Sequence, residues 1–170
     1  MAVDTVVPAR RRSRLSRAIA GSAVLVGIVA LGTAAALPLN QLTQPGGAVR
    51  VADADFSEAL IGVDLPYGTW LSEDPSGDVI YNVFELPWHL RLLTEAPAVS
   101  SALCLAIASF LVWRICRSRP TGEASPERNG LRFVVAVAVL MVGAGLSDLL
   151  GHVATAEVVA WTGAVFPPAL

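Results

Sequence analysis

AIAGSAVLVGIVALGTAAALPL, residues Ala18 to Leu39, is the stretch that decides the fold, for it runs without one charged side chain. Lipid offers the backbone no water, so a lone segment crosses a bilayer only as a helix, and about 20 apolar residues cover a hydrocarbon core of about 30 Å. Residues 18–39 meet that length, and Pro38 with Asn40 predicts the stop where water returns. RRRSRLSR before the stretch and the A-x-A at Ala34 to Ala36 also fit a cleavable signal. The apolar run exceeds the roughly 7 to 15 residues of a signal-peptide core, so an uncleaved anchor is the expectation.

Two further stretches carry the same signature. Ala96 to Trp113 is uncharged, has Pro97 placed for a first turn, and opens a second span predicted over 96–115. Phe133 to Leu150 is uncharged until Asp148 and predicts a third. After Leu150, GHVATAEVVAWTGAVFPPAL stays mostly apolar but includes His152 and Glu157 and stops at Pro167 and Pro168. A helix over about 155–165 is expected there, either a short fourth span or an interfacial tail. The fold class is thus an all-α transmembrane bundle of three to four helices, with a small β-containing extracytoplasmic segment between helices 1 and 2. Composition agrees: 54% of residues are hydrophobic and 15% charged, against roughly a quarter charged in ordinary globular chains.

The arginines set the orientation, because cytoplasmic flanks carry the Lys/Arg excess. Arg10, Arg11, Arg12, Arg14 and Arg17 lie in the tail 1–17, and Arg114, Arg117, Arg119, Arg128 and Arg132 surround the loop 116–132. Residues 40–95 carry only Arg50 and Arg91 against nine acids. Tail and loop are therefore expected in the cytoplasm and 40–95 outside, as in a multi-pass plasma-membrane protein. Within 40–95, AVRVADADF, VDLPYGTWL and DVIYNVFEL read as short strands separated by turn formers, and FELPWHLRLLTEAP as an interfacial stretch. Trp70, Trp88 and Trp161 are expected as outer interface anchors, and Trp113 as an inner one.

In the inner loop, Gly122, Asn129 and Arg132 fall at the spacing of G-x-P-F-x-x-x-N-x-x-R-L. With the basic tail, the single helix and the β-containing outer segment, this layout resembles an uncharacterised bacterial family of four-helix membrane proteins, a domain of unknown function. Ala124 and Ser125 replace the Pro-Phe pair, and Phe133 the final Leu. The resemblance implies a membrane component of a regulatory pair, since that family often accompanies small helix-turn-helix regulators. It assigns no chemistry.

No C-x-x-C, H-E-x-x-H, G-x-S-x-G or Walker pattern occurs, and Cys104 and Cys116 lie about 18 Å apart along one helix, too far for a disulfide. No enzyme activity, cofactor or nucleic-acid partner is expected. Asp148 and His152, four apart on one helical face, are candidates for metal or proton handling, with His89 and Glu157 able to join them from the same side. Helix packing is expected at the small-x3-small pairs Ala23 with Gly27, Gly32 with Ala36, and Gly143 with Ser147, since lipid supplies no hydrophobic drive between helices. Besides the lipid bilayer, the partner is expected to be another membrane protein or a further copy of the chain. The leading expectation is a non-enzymatic membrane protein contacting a partner in regulation or complex assembly; the alternative is a transport or metal-handling protein using the outer-side His and carboxylate groups.

Overall fold

The computed structural model describes residues 9–43, 46–52, 66–73, 79–118 and 126–163. Their order is α1 (Ala9–Thr43), β1 (Gly46–Ala52), β2 (Thr69–Glu73), β3 (Val79–Phe84), α2 (Trp88–Ser118) and α3 (Pro126–Thr162). The described residues are mostly helical, with a small three-stranded sheet, and among them three helices are long and apolar enough to cross a membrane. Gly122, Ala124, Ser125, Pro167 and Pro168 lie outside the described residues, as do residues 53–56 of the first strand candidate and 63–65 of the second, whose last three residues, Thr69 to Leu71, begin β2.

The sequence expectation of a separate fourth helix is corrected. Residues 133–150 and the tail to Thr162 form one uninterrupted helix of 37 residues, about 55 Å long. Asp148, His152 and Glu157 lower hydropathy without breaking a helix, and no proline interrupts the stretch after Pro126. Hydropathy reports where a bilayer could end, and backbone geometry alone reports where a helix must. The same distinction moves two other boundaries. Pro38 sits inside α1, which runs on to Thr43, and Pro97 sits well inside α2, which begins at Trp88 rather than at 96. Pro97 has no N–H to give the Leu93 carbonyl one turn earlier, and its own carbonyl accepts from the hydroxyls of Ser100 and Ser147, at 2.8 and 3.1 Å.

The contacts gather into two compact units. The first comprises Met1–Thr33 and Ser101–Ala144. Its buried apolar residues are alanines, among them Ala30, Ala102, Ala106 and Ala136, while Leu25, Ile28, Phe110, Phe133 and Val142 are exposed. This ordering is the reverse of a water-soluble core, where the largest apolar side chains go inside. It suits helices that pack through small residues and give their large side chains to lipid. Gly27 stands against Ser109 Cβ, 3.5 Å from where its own Cβ would be, and a Cβ on Gly143 would lie 2.6 Å from Cys104 Cβ.

The second unit comprises Ala34–Ser100 and Gly145–Leu170. Its sheet has the order β1-β3-β2, all antiparallel. Strand alternation decides its core: Val79, Tyr81 and Val83 of β3 are buried, while Ile80, Asn82 and Phe84 point the other way. Tyr81 and Val83 join Val49 of β1 with Leu86, Leu90, Ala154 and Val158 in one cluster. The residues after 150 thus supply a wall of this core, which is ordinary in composition, with large apolar side chains inside. At the corner between β3 and α2, Glu85 takes a positive φ of 60°, which redirects the chain and lets Leu86 turn inward.

Candidate functional site

Asp148, His152 and Glu157 stand on α3 and His89 on the first turn of α2; all four side chains are exposed. Asp148 and His152 share a face, being four residues apart, whereas Glu157 follows His152 by five and is turned well away from it. His89 packs edge-on to the Trp88 ring, centroids 5.8 Å apart. Among the described residues no group of three or more His, Cys, Asp or Glu side chains gathers as a metal site would require. Of the small-x3-small pairs, Ala23, Gly27 and Gly143 lie in the packed interior, and Ser147 donates to Pro97 O. Gly32 has nothing within 4 Å of a built Cβ, and Ala36 is exposed.

Three constellations emerge only from the structure. Where α1 ends, Arg91 Nη1 donates to Gln41 O at 3.1 Å, and Gln41 Nε2 donates to Glu95 Oε1 at 2.6 Å. A guanidinium on the last carbonyls of a helix satisfies an orphan acceptor and opposes the negative end of its dipole. Arg91 and Glu95, four apart, were visible as a helical pair; their meeting with Gln41 was not, because it spans 50 residues.

At the other end of α2, Asn129 Oδ1 lies 3.1 Å from the Ser118 hydroxyl and 3.3 Å from Arg132 Nη1. Asn129 and Arg132 are two of the loop-motif positions; Asn129 ties the start of α3 to the end of α2, and Arg132 donates to it from one turn along α3. Arg117 lies over the Trp113 ring, 5.3 Å from its centroid.

The third constellation is the open face of the sheet. Trp70 is opposite Asn82 in the β2-β3 register, and Phe84 follows on the same face; both are about half exposed, at 50% and 51%. Between them the Asn82 amide donates to Ser72 Oγ at 2.8 Å. Tyr67, in the turn before β2, is fully exposed. Aromatic side chains left uncovered beside a polar pair make a surface suited to contact rather than to chemistry.

No protein-family model, curated protein or solved structure matches the chain.

Proposed function

We propose that this is a non-enzymatic, multi-pass protein of a bacterial plasma membrane, with its N-terminus in the cytoplasm, whose sheet unit contacts a partner protein outside in regulation or complex assembly. The observation that carries this reading is the open sheet face, where Trp70 and Phe84 stand exposed although the opposite face already has a complete core. Aromatic residues dominate binding energy where two proteins meet, because they bury large areas at low entropic cost. The arginine distribution supports the orientation, and the loop resemblance supports membership of a regulatory pair.

The test is a photo-crosslinking residue in place of Phe84 in intact cells. A discrete protein adduct that disappears on adding Trp70→Ala is expected. Adducts with lipid alone would mean that the aromatics anchor the sheet to head groups, and the contact reading would fall.

A further inference from the structure

Gly145, Asp148 and His152 form a narrow stripe on α3, within about 60° of arc at about 100° per residue. All three are exposed, and a Cβ built on Gly145 would meet nothing within 4 Å. Among the described residues neither the Asp148 nor the His152 side chain makes a hydrogen bond or ion pair.

Helix length fixes the depth of the stripe. Asp148 follows Arg132 by sixteen residues of unbroken helix, about 24 Å at 1.5 Å each, so with Arg132 among the head groups it lies about one turn short of the far hydrocarbon boundary. His152 then lies at that boundary. The bond from Ser147 Oγ to Pro97 O gives an independent check, because Pro97 precedes Arg114 by seventeen residues of α2, about 25 Å. Both helices put this level just inside the outer edge of the lipid. Ionisable side chains at such depth almost always face protein or a water-filled cavity, so an outward-pointing carboxylate calls for a covering surface.

We propose that a second copy of this chain covers the stripe, with the two α3 helices side by side about a twofold axis along the membrane normal. An acid and a base four residues apart on one face are complementary to themselves: twofold symmetry brings each Asp148 within reach of the other copy's His152. Copies inserted in the same direction place Asp148 of one and His152 of the other one helical turn, about 6 Å, apart along the membrane normal, a step their side chains span. Each carboxylate accepts a hydrogen bond from the opposing imidazole N–H, and Gly145 lets the two backbones approach. A different protein would have to bring its own matching acid and base, whereas a second copy carries both. The inference depends on α3 crossing the bilayer and not on the sheet-face contact.

The test uses the full chain in native membranes with Cys104→Ala and Cys116→Ser. Met141→Cys, one turn before Gly145 on the same side of α3, should give a disulfide-linked dimer on mild oxidation. Leu146→Cys, exposed but turned well away, should stay monomeric. Without added cysteines, Asp148→His alone and His152→Asp alone should each lower the dimer fraction in vesicles about tenfold, and the double exchange should restore it. Equal cross-linking at 141 and 146, single exchanges that leave the dimer unchanged, or a double exchange that fails to restore it would each overturn the proposal. Photo-crosslinking at Phe84 reads the sheet face separately, so either idea can fail alone.

Discussion

At Gly143 the space between α2 and α3 is set by one missing carbon. A Cβ there would lie 2.6 Å from Cys104 Cβ and 2.8 Å from its sulfur, closer than real atoms come. Gly143→Ala should therefore destabilise the protein by about 1–3 kcal/mol, as overpacking does, and Cys104→Gly should recover part of the loss. Thermal unfolding in detergent checks both, and a Gly143→Ala variant as stable as the parent would remove the close contact from the account. Gly32 gives the contrasting case: with nothing nearby, Gly32→Ala should change stability little. Arg91 acts through the α1 terminus, where Arg91→Ala leaves the half-buried Gln41 carbonyl without its donor; a loss of about 1–3 kcal/mol is expected, with partial recovery in Arg91→Lys. The sequence shows every one of these residues as a type and none of them as a neighbour. Gly27, Gly32 and Gly143 look alike in the chain, and only their surroundings separate them.

Among elements, α3 is where reading and structure diverge most. Its apolar run ends in the sequence near Asp148, yet the helix continues to Thr162 and buries Ala154 and Val158 beneath the sheet. The signal was present as the pair Ala154 and Val158, four apart and both apolar, but a tail mixing apolar and charged residues fits an interfacial helix equally well. What distinguishes the two is the sheet that covers those positions, and β3 lies some 70 residues earlier in the chain. Val158→Ala should cost about 2 kcal/mol, since Val158 is 1% exposed. Val158→Asp should go further and open the sheet unit to added protease while leaving the apolar helices protected in membranes. If the sheet stayed resistant in that variant, the helix extension would not be part of its core. The strands themselves were legible from alternation: β1 and β3 fall inside the stretches read as strands, except for Gly46 and Gly47. Their order β1-β3-β2 was not legible, because pairing depends on chain return.

For the whole molecule the claim open to direct test is orientation. Tyr67→Cys, in a fully exposed turn, should react with a membrane-impermeant maleimide in intact cells, and Glu127→Cys only after permeabilisation. The opposite pattern would reverse the topology and withdraw the outer contact surface. Residue order by itself determined that three segments are apolar enough and long enough to lie in lipid, that arginines gather before the first and between the second and third, and that a short β-forming segment separates the first two. These follow from one-dimensional properties, since transfer free energy and charge add up along a chain whatever its fold. Tertiary structure alone decided that the last helix is continuous, that alanines rather than leucines fill the first unit, that Gln41, Arg91 and Glu95 meet, and that Asp148 and His152 look outward. Each of these depends on which distant residues share a surface, and that is settled by packing in three dimensions.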